Sequence, residues 1–407
     1  MTGLDMKSVR SSFPALGHDQ VFFDNAGGSQ TLGTVIDSIC DYLSNTNVQL
    51  GASYKTGKAA TDRYNKGREA GAKYINAQED EIVFGSSTTQ LYRNLSHALS
   101  FAEGDEIVVS GLDHEANIAP WVDLAERQKL VLKWWRPASS PTTNPKLEPA
   151  DLEALLSPRT RLVTCTHASN ILGTVTDVAA VAAALHRRVP AALLCVDAVA
   201  YAPHRPVDVR ALGADFYAFS WYKVYGPHVS MLYASRAAQA SPALRSLGHF
   251  FNPHDSLDGK LGLAGGSYEL LQAVPAVLAY LRPADGADDV WAGVEAHEAE
   301  LQGTLLDYLN ARDDVTIYGD PSPDTRVRVA TVSFTVAGWN SRDVVETVER
   351  ETNFGFRWGM FYSNRLAKEV LGLGDDGVVR VSMVHYNTVE EIQSWIKAFD
   401  RLVLRKA

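Results

Sequence analysis

The sequence predicts an α/β protein with a mostly parallel sheet, and three runs of residues carry that prediction. Arg161-Leu162-Val163-Thr164-Cys165-Thr166, Leu193-Leu194-Cys195-Val196-Asp197 and Asp215-Phe216-Tyr217-Ala218-Phe219-Ser220 are short apolar segments separated by helical stretches. Strands alternating with helices imply parallel crossovers. Each run also delivers a polar group at or just past its end: Asn170, Asp197 and Lys223. In an open α/β sheet, ligands bind at that edge.

The remaining elements follow in order. Residues 1–15 read as an N-terminal arm whose Val9–Pro14 stretch packs on the C-terminal domain. Helical spacing covers about 31–45 and 60–76, then 88–100 after the strand Ile82-Val83-Phe84. Strands near 106–110, 130–135, 161–166, 193–197, 215–219 and 229–233 complete a sheet of seven. The Pro/Ser/Thr-rich stretch 137–146 is a loop, because the alternation resumes after it. A long helical pattern over about 267–282 bridges to a smaller α+β domain. At 407 residues the chain exceeds the size at which one core keeps growing. The expected division is arm 1–15, large domain 16–265 and small domain 266–407, the last including the bridging helix.

Composition narrows the function classes. Hydrophobic content of 46% describes an ordinary globular chain, and a net charge of −10 without any Lys/Arg block argues against nucleic acid or anionic membrane partners. No apolar h-region follows Met1, and no stretch is long and apolar enough to span a bilayer. Three cysteines, Cys40, Cys165 and Cys195, do not make a disulfide scaffold and suit a reducing cytoplasm. No metal site is expected.

The chemistry centres on Lys223. A lysine delivered from the end of a buried strand is desolvated, which lowers its pKa and leaves a nucleophilic amine. Lysine for an aldehyde, Asp197 for a protonated pyridine nitrogen and Asn170 for a phenolic oxygen together match pyridoxal 5′-phosphate (PLP). Gly85-Ser86-Ser87-Thr88-Thr89 lies between a strand and a helix, so Ser87, Thr88 and Thr89 offer hydroxyls and a helix N-terminus to a phosphate.

Further motifs identify the chain as similar to a known group. Phe22-Phe23-Asp24-Asn25-Ala26-Gly27-Gly28 resembles "YLDNAA", and Asp113-His114-Glu115-Ala116-Asn117-Ile118-Ala119-Pro120-Trp121 resembles "EHHANIVPW". Asn76-Ala77 with Glu81–Phe84 and Ser87–Gln90, Ser169–Thr174, and Val379-Arg380-Val381-Ser382 fit as well. The chain resembles fold-type I PLP enzymes of the class V aminotransferase superfamily, in its cysteine-desulfurase-like branch. The resemblance implies further phosphate contacts from Ser220 and Tyr222, and substrate contacts at Asn25 and Ala26. It also implies that Arg380 clamps the substrate α-carboxylate, for which its planar guanidinium is suited. Gly266 and Ser267 would reach the phosphate of a neighbouring subunit, making a homodimer with shared active sites.

Departures from the branch redirect the chemistry. Gly355-Phe356-Arg357-Trp358-Gly359-Met360-Phe361-Tyr362 lacks the loop cysteine of desulfurases. Cys40 in a helix, with Cys165 and Cys195 in strands, reads as inert. The histidine that stacks on the cofactor ring aligns with Glu115, a replacement acid or base; His114 points away if the segment is helical. The family's "DGAQ" becomes Asp197-Ala198-Val199-Ala200, and the histidine before the lysine becomes Tyr222. Trp358 and Tyr362 would reshape the substrate pocket. These changes resemble isopenicillin N epimerase-like and fungal natural-product enzymes. They imply a PLP-dependent lyase or transferase acting on a small L-amino acid through an external aldimine and quinonoid, with no cysteine persulfide. The step that follows is elimination or replacement, or carbon–carbon bond formation such as decarboxylative aldol or cyclisation, in secondary metabolism. A cysteine desulfurase or selenocysteine lyase is the alternative, and a non-catalytic PLP-binding protein the alternative from another class.

Overall fold

The computed structural model describes residues 4–137, 142–248, 256–282 and 290–404, so part of the expected loop 137–146 and the first residues of the arm lie outside the described residues. Seven strands make the large sheet: β1 (Ile82–Gly85), β2 (Glu106–Ser110), β3 (Val131–Trp135), β4 (Thr160–Thr166), β5 (Leu193–Asp197), β6 (Phe216–Ser220) and β7 (Ser230–Ala234). Their spatial order is β1-β7-β6-β5-β4-β2-β3, and only β7 runs against the rest. The chain is therefore an α/β protein with a mostly parallel sheet. Side chains alternate across the pleat. Val163, Cys165, Leu194, Val196, Tyr217 and Phe219 feed one core, while Leu162, Leu193, Cys195, Phe216 and Ala218 feed a second on the opposite face. This two-sided burial is why these strands read as unbroken apolar runs.

The N-terminal arm forms a short helix, α1 (Met6–Ser11). Arg10 Nη1 donates to the Tyr386 carbonyl (2.9 Å) and pairs with Glu391 (2.8 Å). Phe13 packs edge-on against Tyr225 and Tyr280 and tilts against Tyr386, so the arm touches both the sheet domain and the C-terminal unit. Helices α2 (Gly33–Asn45) and α4 (Thr88–Ala98) lie close to their expected positions, α3 (Lys55–Tyr74) begins five residues earlier than expected, and α5 (Ala119–Gln128) and α6 (Val178–Arg188) are among the helices that separate the strands.

The expected helix over 267–282 is broken into Tyr268–Leu271 and Val274–Leu281. Pro275 is the reason: it has no N–H for the Leu271 carbonyl, and its ring would clash there in a continuous helix, whereas the first turn of a new helix tolerates it. The long helix is instead α7 (Val290–Asn310). It packs with α8 (Ser341–Glu351) and α9 (Val389–Leu402) on a four-stranded antiparallel sheet, with strands β8 (Val315–Tyr318), β9 (Thr331–Val336), β10 (Arg357–Gly359) and β11 (Val378–Ser382) in the order β10-β11-β9-β8. Among the described residues, no helix is long and apolar enough to cross a membrane, and no His/Cys/Asp/Glu cluster is arranged to hold a metal.

Gly173 lets the loop after β4 pass close beneath the small sheet. Its φ is +69°, and a Cβ there would lie 2.4 Å from the Thr331 carbonyl oxygen and 3.0 Å from that of Val329. Gly173→Ala is expected to cost about 2 kcal/mol or more. Gly104→Ala carries a similar positive φ but meets only Arg159 at 3.7 Å, and is expected to cost about half as much. Denaturant midpoints of the two variants test the difference.

Candidate active site

Loops leaving the C-terminal ends of β1, β2, β4, β5 and β6 converge on a cavity of about 100 Å³. It is lined by Ser87, Thr88, Thr89, Asn170, Asp197, Ser220, Tyr222 and Lys223, all identified from the sequence. Strand β6 stops at Ser220, and a single 3₁₀ turn over Trp221–Lys223 sets the lysine into the cavity. Its Nζ donates to the carbonyl of Ala26 at 2.6 Å. Burial lowers the lysine pKa to about 8; Arg380 pushes the same way, and Asp197 and Asp24 pull back. An appreciable fraction is thus the free amine near neutral pH.

Asp197 ends β5 and is almost fully buried. Its Oδ1 accepts the Val199 N–H (2.9 Å), while Oδ2 has no hydrogen bond among the described residues. Burial pushes its pKa up to about 6 against that N–H and the Lys223 charge. A carboxylate this poorly compensated is suited to a cationic donor. Behind it, Asp113 accepts from Asn117 Nδ2 (2.7 Å) and the Thr166 N–H (3.1 Å), and burial pushes it up to about 7, Asp197's charge adding to the effect.

At the opposite wall, Ser87 caps α4 by accepting the Gln90 N–H (3.1 Å). The Thr88 hydroxyl lies 2.8 Å from that of Ser220, which lies 2.6 Å from that of Ser230. Tyr222 stacks on His228 with ring centroids 4.8 Å apart. The Asn170 amide is engaged at both ends: Nδ2 donates to the Phe361 carbonyl (3.0 Å), and Oδ1 accepts from the Ser363 hydroxyl (2.9 Å). One amide hydrogen remains uncommitted.

Several expected placements need correction. His114 does not point away; it lines the cavity, and Glu115 does not. The segment is not helical at 114: His114 is extended (φ −64°, ψ 141°) and caps a 3₁₀ turn over Glu115–Asn117. Its Nδ1 accepts the Ala116 N–H (3.0 Å), so the neutral ring carries its proton on Nε2. Burial lowers its pKa to about 4, with Lys223 and Arg380 acting in the same direction. Glu115 lines an adjoining outer hollow with Tyr362 and pairs with Arg365 at 2.9 Å. Motif comparison position by position would have found His114, since "EHHANIVPW" carries a histidine there too.

Asn25 is not free to meet a substrate. Its Nδ2 donates to the carbonyls of Phe22 and Ser382 (both 2.9 Å) and to Asn387 Oδ1 (3.1 Å), and its Oδ1 accepts from the Tyr386 hydroxyl. Trp358 packs on the core of the small unit, because alternation along β10 turns it from the face that carries Arg357. Tyr362 is 74% exposed at the rim. Gly266 and Ser267 border a separate hollow with Ser86 and Gln90. Arg380 is buried behind Phe361, whose ring centroid lies 3.6 Å from its guanidinium carbon. Cys165 and Cys195 are buried, whereas Cys40 is exposed on α2 and does not line the cavity.

A fold with a lysine, a buried carboxylate and a hydroxyl-rich helix start at one sheet edge defines a PLP-dependent enzyme class, and comparison with known proteins agrees. The chain belongs to the aminotransferase class-V family, whose profile matches residues 21–395. It is 53% identical over 406 residues to the aminotransferase-like protein FGM3 of Gibberella zeae, covering 99% of both chains. It is 40% identical over 408 residues to the cysteine desulfurase-like protein ustD of Aspergillus flavus, covering 99% of this chain and 91% of that one. A nonribosomal peptide synthetase-like enzyme, fsqF of Aspergillus fumigatus, is 41% identical over 97% of this chain but only 26% of its own length. The solved structure of the cysteine desulfurase CsdA from Escherichia coli superposes with a TM-score of 0.83 at 25% identity over 99% of both chains.

The residues present fit the cofactor of this family. Asp197 Oδ2 suits a protonated ring nitrogen, Lys223 an aldehyde, and the start of α4 with its hydroxyls a phosphate. Rebinding of PLP to apoenzyme is expected to quicken as pH rises from about 7 to 9, because the neutral fraction of Lys223 grows through its pKa of about 8. Stopped-flow absorbance reads the rate. The same lowered pKa means that the folded apo chain releases a proton the unfolded chain keeps. The apo fold should therefore gain stability as pH rises above about 8 toward the ordinary lysine value.

Proposed function

We propose that this enzyme makes or breaks a bond at a small L-amino acid without a cysteine persulfide, by elimination or replacement or by carbon–carbon bond formation. The observation that carries this reading is the wall of the cavity: among the described residues no cysteine lines it, and the closing loop presents Met360, Phe361 and Tyr362. The thiols of Cys165 and Cys195 are pushed well above their usual range by burial, so neither is a ready nucleophile.

Bound PLP supplies an electron sink for the electron pair left at the substrate Cα. Asp197 holds a proton on the ring nitrogen. Lys223 Nζ takes the proton from Cα and returns it, and His114 offers Nε2–H as a second donor in place of Glu115. Arg380 binds the α-carboxylate, and the Phe361 ring covers the guanidinium against water until the carboxylate enters. The names of relatives, among them a nonribosomal peptide synthetase-like enzyme, support a role in small-molecule assembly. The exposed Gly265-Gly266 stretch, where added side chains would meet nothing within 4 Å, supports a homodimer in which this loop completes the partner's site.

Turnover of a panel of L-amino acids by holoenzyme, with products identified by mass spectrometry, tests the reading. A Cys40→Ser/Cys165→Ser/Cys195→Ser variant is expected to keep the native reaction. If it is folded and PLP-loaded yet inactive, and the wild type forms a persulfide, the enzyme is a desulfurase. Lys223→Ala should retain non-covalent PLP but lose about a thousandfold or more in turnover. Asp197→Asn should lower kcat by about a hundredfold or more; near-wild-type activity there would contradict its role.

A further inference from the structure

Arg380 and Arg357 face each other across the small sheet. β10 and β11 are antiparallel, and the register sets Arg357 directly opposite Arg380. Like charges in directly opposed positions repel, so this pair requires an anion. Asp24 supplies it. Its Oδ1 accepts from Arg380 Nη2 at 2.7 Å, and its Oδ2 lies 3.7 Å from Arg357 Nη1. The two arginines differ in their surroundings. Arg380 is fully buried, with Nη1 donating to the Asn170 carbonyl (3.1 Å) and Nε without a partner among the described residues. Arg357 is 58% exposed, makes only the long contact to Asp24, and has its guanidinium carbon 5.6 Å from the Phe361 ring centroid.

In this arrangement Arg380 has no room for a second carboxylate. Asp24 holds one terminal nitrogen and the Phe361 ring covers the guanidinium face. The covering loop is itself strained: Phe361 and Tyr362 both have left-handed backbones, with φ of +49° and +58°. Such conformations in non-glycine residues cost about 1–2 kcal/mol each, so the loop leaves this position more easily than a relaxed one would. Asp24, by contrast, is fixed at its backbone by a bridge to Ser382. Only its side chain is free to turn, and Gly27 leaves that side open: a Cβ there would lie 2.8 Å from Oδ2.

We propose that Asp24 is the resident counter-ion of the carboxylate site, held by Arg380 until the carboxylate of an incoming amino acid displaces it onto Arg357. Asp24 and Arg357 are then positioning residues that set how strongly a carboxylate must bind to enter, and Phe361 moves aside with the exchange. The buried guanidinium keeps a carboxylate partner throughout, and the added negative charge of the substrate is matched by Arg357, which takes up Asp24. This inference rests on Arg380 being the carboxylate clamp.

Two small amines separate the possibilities in PLP-loaded enzyme. Aminooxyacetate and methoxyamine both react with the cofactor, with a change in its absorbance, but only the first carries a carboxylate. Wild type is expected to prefer aminooxyacetate, and Arg380→Lys to lose that preference. Asp24→Asn should lower the half-saturating aminooxyacetate concentration roughly tenfold, because a competing anion is gone. Arg357→Gln should raise it by a similar factor, with a smaller effect when Asp24→Asn is also present. Methoxyamine, which brings no carboxylate, should respond far less than aminooxyacetate in the Asp24 and Arg357 variants, which separates the exchange from a general loss of structure. If Arg380→Lys keeps the preference, the clamp reading fails. If Arg380→Lys loses it while Asp24→Asn leaves aminooxyacetate binding unchanged or weaker, the clamp stands and the counter-ion exchange is overturned. Should Asp24→Asn not yield folded holoenzyme, the exposed Arg357→Gln decides alone: an unchanged half-saturation overturns the exchange.

Discussion

Lys223 Nζ lies in the combined field of Asp197, Asp24 and Arg380, in a place where water cannot screen them. Burial alone disfavours the ammonium form, and Arg380 adds to that; the two carboxylates limit the shift, so that the amine titrates at about pH 8. The balance needs the lysine at the end of a strand whose every residue is buried. It also needs Asp197 one strand away in register, and Arg380 brought in from a different sheet. Parallel pairing of β5 with β6 opposes Asp197 to Ala218, and the single turn after Ser220 then swings Lys223 back over that position. The distance between the two charges is a property of the sheet, while the distance to Arg380 is a property of how the small unit docks.

That docking is held by polar groups buried between the units. Arg380 Nη1 reaches the Asn170 carbonyl, the Ala26 N–H donates to the Ser382 hydroxyl (2.9 Å), and Asn25 is spent on Phe22, Ser382, Asn387 and Tyr386. Asn25 therefore serves the active site indirectly. It fixes the segment whose next residue presents the carbonyl that receives the Lys223 amine, and whose preceding residue is Asp24.

Much of the cavity was legible in the sequence because each contributor follows an apolar run: Asp197 and Ser220 close strands, Lys223 and Asn170 lie just beyond them, and Ser87–Thr89 open a helix. What escaped was set by local backbone or by register. Whether His114 or Glu115 faces the cavity depends on residue 114 being an extended cap rather than part of a helix, and composition does not distinguish these. Trp358 looked like a pocket residue because it stands in the segment where desulfurases carry their loop cysteine, yet strand alternation sends it to the small core and leaves Arg357 on the active-site side. The cross-strand pairing of Arg357 with Arg380 is invisible without the register. The helix expected over 267–282 carried its own warning in Pro275, outweighed by the apolar periodicity around it.

The loss of the family's glutamine at Ala200 has a mechanical consequence. Val199 and Ala200 line the cavity without any side-chain donor, so Asn170 is the amide left on this side of the site. Its carbonyl oxygen and one N–H are tied to Ser363 and Phe361, the residues on either side of Tyr362 in the closing loop. The backbone of the same residue holds Arg380 through its carbonyl. A movement of the Phe361 backbone that carries its ring off the Arg380 guanidinium thus frees or reorients the Asn170 side chain. Loop position, the Asn170 amide and the Arg380 guanidinium form one connected unit, in which a change at any of the three is transmitted by hydrogen bonds already formed.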